Sequence, residues 1–312
     1  MADPAVVALG GGHGLAVVLR AVRRYTASIT AVVSVADDGG SSGRLRRDLG
    51  VLPPGDIRRC LVALASDDSL WAGAFEHRFA EGELEGHALG NLVLVGLADA
   101  LGSFPAALKE AGRLLRTVGR VVPATTEPVV LKAELGGSVS PGRSDSGMPD
   151  SRMPDSGTQV EGQVAVAASR GIRRVALVPE DPPAPAEALS AIAGADQVVL
   201  APGSLYTSLL PVLCVPTLRD AIATTPARVV QVANLRPQVP ETAGLDATDH
   251  LRAVLDHGAR VDVFLYQEGG TLAVDVEVIR SWGVEPVAAA IAAADEVAHD
   301  PERLAKALHA LL

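Results

Sequence analysis

Aromatic residues are scarce in this sequence, making up 3% of its 312 positions. Valine, leucine, alanine and isoleucine must therefore fill the interior, and these residues are typical of parallel strands covered on both faces by helices. The sequence also lacks long runs of lysine and arginine, and its formal net charge is −10. Because a protein that binds nucleic acid needs a positive face, this charge balance argues against a nucleic-acid partner.

Cysteine is rare as well. Cys60 and Cys214 lie far apart and form no CxxC pair, which argues against both a disulfide framework and a zinc site. The N-terminus has no basic segment followed by a long apolar stretch, so we predict no signal peptide. The most apolar candidate helix, residues 89–101, contains Asn91 and Asp99 and is too short to cross a bilayer. We therefore expect a cytoplasmic protein without membrane insertion.

The sequence does contain a regular alternation of two kinds of segment. Short valine-rich runs predict buried strands at residues 5–9, 29–35, 174–178, 197–201, 228–233 and 261–265. Segments with helical spacing lie at residues 15–24, 56–65, 89–101, 184–192, 205–213, 248–257 and 302–312. Strands joined through helices imply right-handed crossovers and a parallel sheet. We therefore predict a single α/β domain over residues 1–312, with a Rossmann-like, doubly wound, mainly parallel sheet and helices on both faces.

The middle of the chain departs from this alternation. Residues 119–135 and 160–168 alternate apolar and polar positions, as in a small antiparallel excursion. Between them, residues 136–158 are rich in serine, glycine, proline and aspartate, and they repeat Met-Pro-Asp-Ser at 148–151 and 153–156. Such a composition cannot bury enough apolar area to offset the entropy of ordering it. We interpret residues 136–158 as a flexible, low-complexity insertion at the tip of a hairpin.

A glycine-rich run directly follows the first predicted strand and precedes an amphipathic segment. It consists of Gly10, Gly11, Gly12, His13 and Gly14. Glycines at this place let backbone N–H groups approach a phosphate, and the following helix presents its positive end. The run is neither a GxGxxG fingerprint nor a Walker A motif, and one tight turn would need fewer glycines. It predicts a phosphate-binding loop, in which His13 either donates to the phosphate or caps the loop.

The second predicted strand ends in an acidic, glycine-rich and serine-rich segment. Asp37 and Asp38 open it, and Ser41 and Ser42 follow. Carboxylates at the carboxyl end of a parallel strand can bind a ribose hydroxyl or a hard cation. The alternative is a solvated loop in which Ser42 caps a helix. We favour a mobile, ligand-binding loop over residues 39–43.

Two further segments carry polar residues at predicted helix starts. Asp56, within the string PPGDIRR, is suited to be an N-cap. His87 and Asn91, within the string GHALGNL, begin a later amphipathic helix. A histidine in such a place is more often structural, whereas a buried asparagine near a helix start often faces a ligand. The sequence leaves both interpretations of this pair open.

The strand at residues 197–201 ends in a second bend of the same kind. Gly203 and Ser204 open it within the string APGSLYTS, and Asn234 ends the strand that follows along the chain. All these loops belong at the carboxyl edge of the sheet, where open α/β sheets bind ligands. We therefore expect unpaired main-chain amides at residues 10–14 and 203–208 to converge on a diphosphate.

Taken together, the strings VVALGGGHGL, ADDGGSSGRL, PPGDIRR, GHALGNL and APGSLYTS resemble the bacterial gluconeogenesis factor family, which is similar in fold to 2-phospho-L-lactate transferase. The resemblance covers nearly the whole chain outside residues 136–158. It implies a Rossmann-like protein that binds a UDP-sugar such as UDP-N-acetylglucosamine and that is linked to growth on gluconeogenic carbon sources, cell shape and peptidoglycan synthesis. The residues that match the family's loops are Gly10, Gly11, Gly12, Gly14, Asp37, Asp38, Asn91, Gly203 and Ser204.

The chain departs from the family pattern at two points. His13 stands where many members have threonine, and Pro240 stands where they have glycine. Proline removes an N–H group and fixes φ, so the second departure affects the ligand contact expected after Asn234.

The leading hypothesis is a nucleotide-sugar-binding regulator without turnover. The pyrophosphate would lie near Gly12, the uracil and ribose toward Ser204 and Asn234, and the sugar near Asp37 and Asn91. Ligand binding would order residues 39–43, and the bound protein would signal the supply of cell-wall precursors to cell-wall synthesis proteins. We also expect a homo-oligomer.

Two alternatives remain open. One is a transferase of the 2-phospho-L-lactate transferase type, in which Asp38 and Asp56, with Asp37 as a further candidate, would hold Mg²⁺ against a diphosphate. The other is an NAD-dependent dehydrogenase that uses His87, but the imperfect glycine fingerprint disfavours it.

Overall fold

The computed structural model describes residues 3–136 and 157–312, and its main feature is a parallel sheet of seven strands. These strands are β1 (Val6–Gly10), β2 (Ile29–Val33), β3 (Arg120–Pro123), β7 (Gln197–Leu200), β8 (Arg228–Val232), β9 (Val263–Gln267) and β10 (Glu285–Ala289). Their order across the sheet is β3-β2-β1-β7-β8-β9-β10. The residues of β1, β2 and β7 are all buried. Valine-rich runs buried on both faces therefore form the centre of the sheet, as predicted.

Helices connect these strands. Their bounds are α1 (Gly12–Val22), α2 (Gly40–Leu49), α3 (Gly55–Leu64), α4 (Leu70–Glu76), α5 (Leu89–Leu101), α6 (Phe104–Leu115), α7 (Gln163–Ala167), α8 (Ala186–Ala193), α9 (Leu210–Leu213), α10 (Pro216–Thr224), α11 (Ala247–Asp256), α12 (Val276–Ser281) and α13 (Pro301–His309), with a π-helical segment at Leu205–Leu209. The sheet grows first toward β3 and then, from β7, toward β10. Because crossovers are right-handed, this reversal places the two sets of helices on opposite faces. The predicted α/β class and the Rossmann-like fold are confirmed.

A second, three-stranded antiparallel sheet interrupts the alternation, in the order β5-β4-β6. Its strands are β4 (Val130–Leu135), β5 (Gln159–Glu161) and β6 (Ile172–Val178). The prediction that residues 174–178 belong to the parallel sheet is therefore wrong. In β6, Val175 and Leu177 are buried whereas Arg173 and Arg174 are exposed. A strand with one covered face is typical of antiparallel sheets.

Three other predictions need correction. Residues 119–135 divide between the two sheets, because β3 forms an edge of the parallel sheet and only β4 joins the small one. Residues 160–168 form the end of β5 and then α7, instead of continuous strand. The loop predicted at residues 39–43 is the first turn of α2.

The predicted insertion falls between β4 and β5, which pair antiparallel, and its residues 137–156 lie outside the described residues.

In the two described ranges, no helix has both the length and the apolar character needed to cross a membrane. The most apolar candidate, α5, has 13 residues, about two thirds of what a bilayer requires.

Candidate functional site at the switch point of the sheet

The structure places the ends of β1 and β7 side by side at the centre of the sheet. The sheet grows in opposite directions on either side of this pair. In open α/β sheets such a switch point leaves a crevice outside the carboxyl ends of the strands, and ligands bind there. The glycine-rich run after β1 and the bend after β7 therefore lie on one edge of the sheet and face each other, as predicted.

Glycine is required where these two segments meet. A Cβ atom on Gly14 would lie 1.8 Å from the carbonyl oxygen of Pro202. A Cβ atom on Gly11 would lie 2.7 Å from Oδ2 of Asp56. Both distances are far below a normal van der Waals contact. Glycine at these positions is therefore needed for close packing, in addition to any contact with a ligand.

The start of α1 leaves several amides without partners. The helix begins at Gly12, and its first internal bond runs from the Leu15 N–H to the Gly11 carbonyl at 3.2 Å. Among the described residues, the N–H groups of Gly12, His13 and Gly14 make no hydrogen bond. These residues line the crevice. Unpaired amides at the positive end of a helix form a binding site for an anion.

The second bend differs from the prediction. The Tyr206 N–H and the Thr207 hydroxyl donate to the Glu241 carboxylate at 3.0 and 2.9 Å. The Gly203 N–H donates to Oδ1 of Asn234 at 2.7 Å, and Asn234 Nδ2 donates back to the Gly203 carbonyl at 2.8 Å. The expectation that these amides are unpaired is therefore wrong. Glu241 is 5% exposed, and its carboxylate occupies the place where an anion would bind, so this bend offers fewer free amides than the first loop does.

The two adjacent aspartates point in different directions. Oδ1 of Asp37 accepts from the Gly39 N–H at 3.0 Å, and its side chain lines the crevice. Both oxygens of Asp38 accept instead from the N–H groups of Gln163 and Val164, at 2.9 and 3.0 Å. Asp38 therefore caps α7, and Asp37 is the carboxylate presented to a ligand.

The serines beside these aspartates help to build the wall of the crevice. The Gly43 N–H donates to the Gly39 carbonyl at 2.8 Å, which closes the first turn of α2. Oγ of Ser42 accepts from the Gly55 N–H at 3.0 Å and so joins α2 to the start of α3. This segment is fixed by contacts to α3, which is why it is helical although its sequence is typical of a loop.

Asp56 does not cap α3, because the helix begins at Gly55 and its cap residue is Pro54. The prediction of an N-cap is therefore wrong. Asp56 lies in the first turn, where it forms an ion pair with Arg59 at 2.7 Å. Burial, and the charge of the nearby Asp56 carboxylate, raise the pKa of Asp37. Two carboxylates from different elements thus approach each other in the crevice.

This pair bears on the predicted Mg²⁺ site. In the described part of the chain, no group of three or more acidic, histidine or cysteine side chains is arranged to hold a metal ion. The geometry favours Asp37 and Asp56 over the predicted pair of Asp38 and Asp56, since Asp38 is turned toward α7. Mg²⁺ commonly binds through one or two carboxylates and the phosphate oxygens of a ligand, so these two residues fit a cation that arrives with a diphosphate.

A buried network connects Asn91 to the crevice wall. Nδ2 of Asn91 donates to Oγ of Ser41 at 3.1 Å, and that oxygen lies 3.0 Å from Nδ1 of His87. Burial and the nearby Arg44 guanidinium lower the pKa of His87, which favours a neutral ring in hydrogen-bond contact with Ser41. Asn91 lines the crevice, whereas His87 lies behind it and holds Ser41 in place.

These segments together enclose a cleft of about 380 Å³, called here the switch-point cleft. The predicted residues that line it are Gly11, Gly12, His13, Gly14, Asp37, Ser41, Ser42, Asp56, Asn91, Gly203 and Ser204. Gly10, Asp38 and Asn234 do not line it. Sequence reasoning missed Ser34, Arg58, Arg59, Arg78 and Gln163. The two adjacent arginines follow Asp56 in a string already singled out, but no pattern pointed to Arg78.

A second cavity, of about 220 Å³, adjoins the switch-point cleft. The two share His13, Gly14, Gly203 and Gln238. Asn234 lines the second cavity, although its amide is already paired with Gly203.

Burial, and then the Arg59 charge, lower the pKa of His13. Its ring is therefore neutral at pH 7 at the junction of the two cavities, where it can donate a hydrogen bond.

Comparison with known proteins identifies the family of this chain. The family model described as 2-phospho-L-lactate transferase CofD matches residues 6–310. A relative from Mycobacterium leprae, named as a gluconeogenesis factor, is 48% identical over 259 residues, which cover 81% of this chain and 69% of the relative. The gluconeogenesis factor of Halalkalibacterium halodurans is 43% identical over 254 residues, covering 81% and 73%.

A solved structure extends the match to the fold. The crystal structure of a UPF0052 family member from Bacillus halodurans superimposes with a TM-score of 0.88 at 36% identity and covers 99% of each chain. The family match spans both sheets and every element of the switch-point cleft. The chain therefore belongs to the 2-phospho-L-lactate transferase CofD family, as a relative of the proteins named gluconeogenesis factors.

Proposed function

We propose that this chain binds a nucleotide sugar, such as UDP-N-acetylglucosamine, in the switch-point cleft. The observation that carries the proposal is the row of unpaired amides at Gly12, His13 and Gly14, which line the cleft at the positive end of α1. A diphosphate accepts hydrogen bonds from such amides and is stabilised by the helix dipole.

The charges around the cleft support an anionic ligand. The chain as a whole carries a formal net charge of −10, yet three arginines line this one cleft, namely Arg58, Arg59 and Arg78. Asp37 and Asp56 lie among them. The arginines offset the charge of a diphosphate, and the carboxylates are suited to hydroxyl groups or to a cation.

The shape of the site supports an elongated ligand. The diphosphate on the first loop would lie between the two cavities, because His13 and Gly14 belong to both. The nucleoside would extend into the smaller cavity, which Asn234 lines, and the sugar would extend toward Asn91. Pockets of a few hundred Å³ are typical of small-molecule sites.

We further propose that the chain acts as a regulator without turnover. Its relatives are named gluconeogenesis factors, so a role in adaptation to carbon source is the starting point. A protein that senses a cell-wall precursor could report precursor supply to peptidoglycan-synthesis proteins and so affect cell shape. Cell-wall synthesis partners and a homo-oligomeric state are part of this proposal.

Isothermal titration of the purified chain with UDP-N-acetylglucosamine tests the binding step. We expect one saturable site per chain, with heat that diminishes as salt rises, because an anion bound by amides and arginines is partly screened. UDP alone is expected to bind more weakly, and N-acetylglucosamine alone not at all. Absence of heat from the nucleotide sugar at millimolar concentration, with and without Mg²⁺, would contradict the proposal.

A Mg²⁺-dependent transferase of the phospholactate type is the second candidate. The approach of Asp37 and Asp56 across the cleft favours it, as does the description of the family model. Mg²⁺ on these carboxylates would neutralise a diphosphate during transfer. Release of nucleotide from an activated substrate, dependent on Mg²⁺ and on an acceptor, would establish this reaction; binding without release supports the regulator.

A further inference from the structure

Two buried polar atoms in the wall of the switch-point cleft have no hydrogen-bond partner among the described residues. They are Oδ1 of Asn91, an acceptor, and Nε of Arg58, a donor. Both residues are 2% exposed, and both line the cleft. Leaving a buried polar atom without a partner is unfavourable, so two such atoms in one binding wall are a feature that a ligand can use.

Each of these side chains is held by its other polar groups. Nδ2 of Asn91 donates to Ser41, which His87 in turn fixes. Arg58 forms an ion pair with Glu76 at 2.6 Å through NH1. The remaining bonds thus position Asn91 and Arg58 without using the two unpaired atoms.

The two side chains are also neighbours. The stem of Arg58 crosses α5 at Gly90, the residue before Asn91, and a Cβ atom on Gly90 would lie 2.9 Å from Cδ of Arg58. Glycine at this position lets the arginine pass close to the helix. Asn91, whose Oδ1 is an acceptor on α5, and Arg58, whose Nε is a donor on α3, therefore lie at the same end of the cleft.

The chemistry of this end selects one kind of group. A hydroxyl can donate to Oδ1 of Asn91 and accept from Nε of Arg58, whereas a flat apolar ring can do neither. In the described part of the chain, the residues that line the cleft include no phenylalanine, tyrosine or tryptophan on which such a ring could stack.

We propose that Asn91 and Arg58 form the subsite for the sugar of a nucleotide sugar and set the preference for a hydroxyl-bearing group over an apolar ring. This inference rests on the proposed function, because it places the sugar at the end of the cleft away from the nucleoside. The two unpaired atoms gain partners only when the sugar is present, so they contribute to the affinity for the sugar and not to that for the diphosphate.

The test compares the affinities for UDP and for UDP-N-acetylglucosamine by titration calorimetry. Asn91→Leu keeps the side-chain size and removes both the acceptor and the bond to Ser41, and Arg58→Lys keeps the charge and removes Nε. For each variant we expect the advantage of the nucleotide sugar over UDP to fall about tenfold, the usual effect of losing one hydrogen bond in a binding site. Ser208→Ala is the control. Ser208 belongs to the π-helical segment and lies beside Gly11 of the phosphate loop, so removing its hydroxyl is expected to change the affinities for both ligands equally.

The outcomes separate this inference from the proposed function. If the wild type binds UDP and UDP-N-acetylglucosamine equally, or if each variant changes both affinities by the same factor, the sugar subsite is overturned while nucleotide binding survives. If the wild type binds neither ligand, the proposed function fails. Should Asn91→Leu not fold, Ser41→Ala, which frees the Asn91 side chain, is expected to lower the same affinity ratio by a smaller factor.

Discussion

Replacing Gly14 with alanine is expected to lower the affinity for UDP-N-acetylglucosamine about a hundredfold and to destabilise the fold by at least about 3 kcal/mol. The new Cβ atom would stand 1.8 Å from the Pro202 carbonyl oxygen. The loops after β1 and β7 must therefore separate by about 1 Å, which moves the free amides of Gly12 and His13 away from the diphosphate. Calorimetric titration gives the affinity, and urea unfolding gives the stability.

A matched variant distinguishes the steric clash caused by Gly14→Ala from the general effect of replacing a glycine with alanine. Gly96 lies within α5, and a Cβ atom there would meet no atom within 4 Å. Gly96→Ala is expected to stabilise the chain by up to about 1 kcal/mol, because alanine favours a helix over glycine, and to leave the affinity unchanged. A Gly14→Ala protein that keeps wild-type affinity would show that the contact between the two loops does not position the amides.

Acidification is expected to destabilise the chain, with His299 as the largest single contributor. Burial lowers the pKa of His299 to about 4, against an ordinary value of about 6.5 in an unfolded chain. Between these values the unfolded state binds a proton that the folded state does not, so stability is retained above pH 6.5 and is lost as the pH falls toward 4. The full loss from this group is about 3 kcal/mol.

Burial keeps this ring neutral, although its one hydrogen bond favours the charged form. Nε2 of His299 lies 3.1 Å from the Ala233 carbonyl, to which its N–H donates. His257 contributes in the same direction, since burial lowers its pKa and Nε2 accepts from the Val175 N–H at 3.1 Å. Protonation of that nitrogen would remove the acceptor and break this bond.

His299→Gln isolates the contribution of His299, because glutamine keeps an N–H donor for Ala233 and does not titrate. Between pH 7.5 and 5, the free energy of unfolding of the wild type is expected to fall by about 2 kcal/mol more than that of the variant. Urea unfolding at several pH values measures this difference. Parallel pH curves for the two proteins would contradict the assignment.

The sequence predicted the centre of the fold well because its signals there are local. Strands such as β1 and β2 are apolar runs buried on both faces, and they can be recognised without knowledge of their neighbours. The edge strand β10 was missed since it is only partly buried and begins with Glu285 and Pro286. The strand β6 was assigned to the wrong sheet because a short valine-rich run does not reveal its pairing partner.

The parts of the site that the sequence did not predict depend on long-range contacts. Glu241 binds the bend at residues 206–207 from 35 residues away, and no spacing in the chain links the two. Asp38 bonds to Gln163 across 125 positions, so the sequence could not distinguish its role from that of Asp37. The helix α2 forms in a segment of glycines and serines because tertiary contacts outweigh intrinsic propensity.

The central claim is that the amides at the start of α1 bind a diphosphate. A crystal structure of the chain grown with UDP-N-acetylglucosamine tests it directly. We expect phosphate oxygens roughly 3 Å from the backbone nitrogens of Gly12, His13 and Gly14, with the Glu241 carboxylate still bonded to Tyr206. A diphosphate bound elsewhere, or one that displaces Glu241 and leaves the first loop empty, would contradict it.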